Sequence, residues 1–361
     1  MEKKDSEEMR DKIILVFLIT FMLFLVSGFS KEFYPDVRPG YGVTDIKWLS
    51  DYFPEIGGTN VDTQVYFMTG DATGATFLLM GGTHPRELAG TVSAITFLEN
   101  AIVKTGTIIV IPFSNISAAS IPDTTGKISH FLPVQTKSGE RYLVFGDRRT
   151  DINDEGIEDP EEFVHPDGGL KYNGNESRNL NRNYPGDEDG NLTSQLAHAI
   201  INLVVEEEVD FNLDMHESRT PEEYAKSGSD YNLSYSLVCN PKALEMGILS
   251  MLNLEIETGI NVKLEESAAN QRGLSHLEIG NNTNSLSFLS ETPNPAQDSS
   301  RANPDPLYDE KYPLKHRVGL QLEIIQMLIE SYNMLFEEQI EVENLPSYND
   351  LMEYGFENFL N

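Results

Sequence analysis

The chain has 361 residues, 58 of them acidic and 26 basic, for a formal net charge of −32. That balance excludes a nucleic-acid binder, because phosphates require a basic footprint, and it disfavours docking on anionic lipid. A single cysteine, Cys239, excludes an internal disulfide and the Cys-rich structural zinc sites.

In chain order, the first signal is the apolar run Ile13 to Val26, bounded by Lys12 and by Ser27-Gly28. It is shorter than the ~20 residues of a full span, and the small residues after it suit cleavage. Residues 1–30 therefore read as a signal peptide or a retained membrane anchor. Export is the shared expectation, with membrane contact limited to this segment. Residues 31–62 read as a linker or N-terminal extension in which Thr44 to Phe53 is expected to form a short helix. Within residues 63–340, the expected catalytic domain, β and α patterns alternate. Gln64 to Met68 and Thr76 to Met80 read as strands, Glu87 to Val103 as a helix, and Thr107 to Ile111 as a buried strand. Residues 115–178 lack periodicity and are rich in Gly, Pro, Asp and Asn, the signature of a long insertion, and such loops usually carry function. A helix over Leu192 to Glu208 follows, then strands at Asp210 to Asp214 and near Tyr235 to Val238. A helix over Lys242 to Thr258, a strand at Ser285 to Leu289 and a long helix over Leu314 to Glu337 complete the domain, leaving 341–361 as a tail. The alternation argues an α/β fold with a mixed, mostly parallel central sheet and helices on both faces.

The stretch Gly81-Gly82-Thr83-His84-Pro85-Arg86-Glu87 sits between an apolar strand and a helical pattern. A strand that ends at two glycines and turns into a helix aims both His84 and Glu87 into the crevice where open α/β sheets bind ligands. An imidazole and a carboxylate make up two thirds of a catalytic zinc ligand set, whose fourth position is left for water. His216, in Phe211-Asn212-Leu213-Asp214-Met215-His216, is the third candidate, at the end of a strand on the same sheet edge. Asp214 is placed to orient its ring. Glu291 follows another strand and precedes Thr292-Pro293-Asn294-Pro295, which suits a firmly held general base. Arg86 and the pair Arg148-Arg149 are candidates to stabilise an oxyanion. Asn181-Arg182, in a loop ahead of a helix, suits a bidentate grip on a substrate carboxylate.

His84-x-x-Glu87, Asn179-Leu180-Asn181-Arg182-Asn183-Tyr184-Pro185, Asp214-Met215-His216 and the late Glu291 resemble, in order, the signatures of M14-type zinc metallocarboxypeptidases. The strand from Thr107 to Asn115 looks more like the succinylglutamate desuccinylase/aspartoacylase branch of that superfamily. The resemblance implies one zinc per chain, held by His84, Glu87 and His216, with Glu291 as the water-activating base. It also implies that Asn181 and Arg182 hold a substrate carboxylate while Arg148 or Arg149 polarises the scissile carbonyl. The expected activity is hydrolysis of an amide beside a free carboxylate, on small N-acyl amino acids or, alternatively, on peptides including cell-wall peptides. A non-catalytic surface binding protein on the same fold is the remaining reading. Two features depart from the pattern. Pro85-Arg86 stands where the deacylase branch has Gly-Asn or Gly-Asp. No tyrosine occurs between Gln271 and Ser290, where the carboxypeptidases have one, and His276 is the nearest candidate substrate contact there.

One further pattern lies in the insertion. Asp151, Asn153, Glu155 and Glu162, with Gly156, fit the spacing of a calcium loop and name a possible Ca2+ site.

Overall fold

A computed structural model describes residues 35–228 and 232–361. The expected signal or anchor, residues 1–30, lies outside the described residues. Thirteen strands and nine α-helices occur among the described residues, numbered here in chain order. Strands β1 (Asp45–Trp48), β2 (Gln64–Thr69) and β3 (Ala72–Met80) lead into helix α1 (Leu88–Asn100) and β4 (Ile102–Ile111). Helix α2 (Ile116–Ser120), the hairpin β5 (Phe131–Thr136) and β6 (Gly139–Val144), α3 (Ile152–Glu155), and the hairpin β7 (Glu162–Val164) and β8 (Lys171–Asn173) follow. Next come α4 (Leu192–Glu206), β9 (Phe211–Ser218), α5 (Pro221–Ser227), β10 (Ser236–Cys239), α6 (Leu244–Thr258) and β11 (Lys263–Glu266). The chain ends with α7 (Ser275–Asn282), β12 (Leu286–Pro293), α8 (Leu314–Leu335), β13 (Glu341–Glu343) and α9 (Tyr348–Tyr354).

The main sheet runs β1-β2-β4-β3-β9-β12-β10-β11, and off this path β13 pairs antiparallel with the first residues of β4. Its centre, β4-β3-β9-β12, is parallel, and antiparallel pairs flank it. The fold class is thus the mixed, mostly parallel α/β architecture expected. Alternation along the central strands splits their apolar residues between two cores. Leu78, Met80, Ile109 and Ile111 face α4 and the 3-10 turns at Leu49–Asp51 and Pro54–Ile56. On the opposite face Phe77 stacks on Phe211 at 4.1 Å, and Phe211 on Tyr332 of α8 at 4.6 Å. Helix α1 packs between the sheet and α8 and is buried from Leu88 to Glu99, so it shows no polar stripe. Gly90 allows this approach, since a Cβ there would lie 2.2 Å from the carbonyl oxygen of Met215 in β9.

Three expectations change. Thr44 to Phe53 is not a helix but strand β1 followed by a 3-10 turn. The buried Leu49, Tyr52, Phe53 and Ile56 mimic helical spacing while the chain bends over α4. Residues 115–178 are not structureless, because two hairpins and two short helices fold there. Residues 341–361 are a docked element rather than a tail, with Leu351, Phe356 and Leu360 buried. No helix among the described residues is long and apolar enough to cross a membrane.

Candidate metal centre and active site

Strands β3, β9 and β12 are parallel, so their C-terminal ends share one edge of the sheet. After β3 the chain turns at Gly82, whose φ of +63° favours glycine and where a Cβ would lie 2.8 Å from the Pro112 carbonyl oxygen. His84 follows, and the turn closes with Glu87 N donating to His84 O at 2.8 Å. Strand β9 extends to Ser218, beyond the expected Asp214, so His216 lies within the strand. Its period of two puts Asp214 and His216 on the crevice face and Glu217 on the other. Glu291 of β12 is the register partner of His216, which sets the two side chains next to each other on that face.

His84, Glu87 and His216 converge in a buried group able to hold a metal. His84 Nδ1 and His216 Nδ1 are 3.2 Å apart, and they lie 2.9 Å and 2.8 Å from the two Glu87 carboxylate oxygens. Three ligand atoms on a tetrahedral zinc stand about 3.3 Å from one another, given bonds of about 2.0–2.1 Å. The observed spacing matches that geometry. The outer ring nitrogens are oriented as a metal requires: His84 Nε2 faces Asn179 Oδ1 at 2.8 Å and His216 Nε2 faces Asp214 Oδ2 at 2.9 Å. Acceptors there favour Nε2–H tautomers and turn both Nδ1 lone pairs inward. Asn179 is itself held by Glu176, whose Oε2 accepts from Asn179 Nδ2 at 2.6 Å. Because a carboxylate only accepts, the amide oxygen of Asn179 must face the histidine. The residues present fit a zinc ion.

Electrostatics sharpen the picture. Burial lowers the pKa of His84 to about 4, with the Arg148 charge acting in the same direction. Burial opposes protonation of His216 too, but Asp214 and Glu87 override it and hold its pKa well above the usual range. Burial would raise Glu87, yet His84 and His216 hold it well below the usual carboxylate range. Burial, then the Glu87 charge, push Glu291 up to about 8. Glu291 Oε2 is buried without a hydrogen-bond partner. Its environment is that of a carboxyl kept poised for proton exchange.

The triad opens into a cavity of about 460 Å³ that is also lined by Glu291, Arg148, Asn181, Arg182 and His276. Arg148 reaches within 3.9 Å of Glu87, and the Arg182 guanidinium sits over the Tyr172 ring at 4.9 Å. Asn181 Oδ1 accepts from Ser275 N at 2.8 Å. His276 is buried, with Nε2 3.0 Å from Ser267 Oγ and Nδ1 without a partner, and burial lowers its pKa to about 3. Two candidates do not line the cavity. Arg149 turns to Glu176 at 3.2 Å and Asp147 at 3.8 Å, and Arg86 turns to Asp123 at 3.8 Å.

The four calcium candidates are not brought together. Asp151 Oδ1 caps α3 by accepting from Asn153 N at 2.9 Å, and Asn153 Nδ2 donates to the same oxygen. Glu155 is buried against Thr193, and Glu162 pairs with Lys171 at 2.5 Å across the β7–β8 hairpin. Among the described residues the His84–Glu87–His216 group is the one cluster of three or more such side chains able to hold a metal.

Several residues at the site carry no signal of their own in the sequence. Asn179 and Glu176 form the outer shell of His84, and Gln297 Nε2 donates to Glu87 Oε1 at 3.2 Å. Behind the sheet, Arg317 of α8 ion-pairs with Glu217, both fully buried, and Glu217 also accepts from Ala89 N at 3.0 Å. Of these, Asn179 alone had a hint within reach, its place two residues ahead of Asn181 in a polar turn.

No protein-family profile matches the sequence, and neither does any curated protein. Among solved structures, the chain is similar to the apo cell shape determinant protein Csd4 of Helicobacter pylori, with a TM-score of 0.49 and 13% identity over 81% of this chain and 59% of that one. It is similar to a metallo-carboxypeptidase of Burkholderia cenocepacia, with a TM-score of 0.48 and 11% identity over 82% and 66%. A succinylglutamate desuccinylase of Silicibacter sp. TM1040 gives a TM-score of 0.42 and 14% identity over 80% and 64%. The chain spans about 60% of the length of the Csd4 structures.

Proposed function

We propose that the protein is a zinc-dependent hydrolase that cleaves an amide bond beside a free carboxylate. The observation that carries this is the buried His84–Glu87–His216 group with the unpartnered Glu291 Oε2 on the register-paired strand. Zinc held by the three ligands supplies Lewis acidity and makes water a stronger acid. Glu291 takes a proton on Oε2 from the attacking water and returns it to the departing amine. Arg148, at the cavity wall and 3.9 Å from Glu87, stabilises negative charge on the carbonyl oxygen. Arg182, packed on Tyr172, and Asn181 fix the substrate carboxylate. The favoured substrates are N-acyl amino acids. Peptides with a free C-terminus, cell-wall peptides included, are the second reading, and a cavity of about 460 Å³ has room for the end of either.

The test joins metal analysis to turnover. Purified protein should hold one zinc per chain, and Glu291→Gln should keep the metal while losing at least ~10³-fold in kcat on N-acyl amino acids or peptides. Full activity in the Gln variant, or no zinc after purification and reconstitution, would sink the reading.

A further inference from the structure

Glu217 follows His216 in β9, yet its carboxylate lies fully buried on the far face of the sheet. Segments from three parts of the site converge on it. Its Oε2 accepts from Ala89 N of α1 and from Asn294 Nδ2, each at 3.0 Å. Its Oε1 takes the ion pair with Arg317 and faces Thr292 Oγ1 at 3.4 Å. Ala89 stands two residues past Glu87, while Thr292 and Asn294 stand one and three residues past Glu291. Asn294 Nδ2 also reaches Arg86 O at 3.3 Å. One side chain thereby ties together the segments that carry Glu87, His216 and Glu291.

The backbone of the same residue holds the Glu87 carboxylate itself. Glu217 N donates to Glu87 Oε2 at 3.1 Å. Glu217 O accepts from Gln297 Nε2, which also lies 3.2 Å from Glu87 Oε1. Each Glu87 oxygen thus has a donor fixed by Glu217, and rotation of the carboxylate would break one of the two. Helix α8 backs the arrangement with two side chains one turn apart. Arg317 meets Glu217 and spends its other donors on Tyr312 O at 3.1 Å and on Pro306 O. Gln321 donates Nε2 to His216 O at 2.9 Å and accepts from Ser290 Oγ at 2.5 Å, which joins β9 to β12 directly behind the metal ligand and the base.

Stability alone does not explain an ion pair in this place. Exchanging a buried pair for apolar side chains of like volume is often neutral or stabilising, whereas directional bonds to a held charge define one arrangement among several. We infer that Glu217, backed by Arg317 and Gln321, is a positioning residue that aims the Glu87 carboxylate and keeps the His84–Glu87 turn in register with His216 and Glu291. The inference rests on the zinc hydrolase reading for the use made of that geometry, but the clamp itself is a property of the fold.

Two double variants test it, neither of which leaves an unpaired buried charge. Arg317→Met/Glu217→Gln keeps an acceptor for Ala89 N, and Arg317→Met/Glu217→Leu removes it. In the metal-free proteins, hydrogen exchange followed by mass spectrometry should be about ten-fold or more faster in the Leu pair over residues 84–90 and 214–218, beyond any change in β4, which carries no site residue. Chelator competition should show zinc held about ten-fold or more weaker by the Leu pair than by the Gln pair, the range expected for loss of a group that orients a metal ligand. Its kcat should fall by a similar factor with KM little changed. Gln321→Met, which removes no charge, should speed exchange over 214–218 and 286–293 in the same way. Equal zinc affinity in the two pairs, or exchange that rises as much in β4 as in the ligand segments, would overturn the positioning role and leave the hydrolase reading standing. If the unaltered protein held no zinc and cleaved no amide, the hydrolase reading would fall, and the exchange pattern alone would decide for or against the clamp.

Discussion

In the metal-free protein, Glu291 should make stability fall as pH rises. Burial first, and the Glu87 charge second, move its pKa from 4.5 up to about 8. A carboxyl with a raised pKa keeps its proton in the folded state after the unfolded chain has released it. Its contribution is complete below the unfolded value of 4.5 and is lost as pH climbs through about 8. Every tenfold change in proton affinity between the two states is worth about 1.4 kcal/mol. Between about pH 5 and about pH 8.5 the whole displacement gives about 4 kcal/mol, and relaxation or water entry that halves the effect leaves about 2 kcal/mol. Glu291→Gln keeps the shape and removes the titration. Wild type should therefore lose about 2–4 kcal/mol relative to the Gln variant across that interval. Urea denaturation of chelator-treated protein at the two pH values, followed by circular dichroism, measures it. Zinc should shrink the difference, since a dication beside a carboxylate favours its charged form. If the two metal-free proteins showed parallel pH dependences, Glu291 would not occupy the dry, like-charged setting described, and its role as a poised base would fail.

Zinc affinity should rise with pH, because the metal must displace the proton that Asp214 and Glu87 hold on His216. Chelator competition at several pH values reads the slope. Asn179→Ala removes the acceptor facing His84 Nε2 and should weaken zinc about 10–100-fold in the same competition. Arg317→Met leaves Glu217 charged and fully buried, which should cost about 3–5 kcal/mol in denaturant unfolding; adding Glu217→Gln should recover most of it. Arg182→Ala should raise KM for carboxylate substrates about 10–100-fold with kcat little changed, a split that initial-rate kinetics resolves.

The sheet and the four residues at its edge were legible because strands obey a short period. Phe211 to His216 alternates apolar and polar residues, so Asp214 and His216 had to share a face once the segment was read as a strand. Loops offer no such rule. Arg148 and Arg149 are neighbours with opposite fates, one lining the cavity and the other bound to Glu176 and Asp147, and nothing local to the pair distinguishes them. The calcium pattern failed for a related reason. Asp151 as an N-cap, a single helical turn and Gly156 at φ +70° as its C-cap use the same residue types as an oxygen-rich loop. Glu176 was out of reach because its place at the site depends on which partners it has in space.

The site is divided by what carries its parts. His216 and Glu291 stand on adjacent parallel strands in fixed register, and Glu87 is pressed toward them by a helix that meets β9 at Gly90. Arg148 and Arg182 stand on connecting segments or short turns outside the main sheet. Drift in those segments can reshape the cavity wall while the spacing between His216 and Glu291 stays locked to the backbone ladder. The same division tells an engineer where to work: graft the loops, and leave the strands alone.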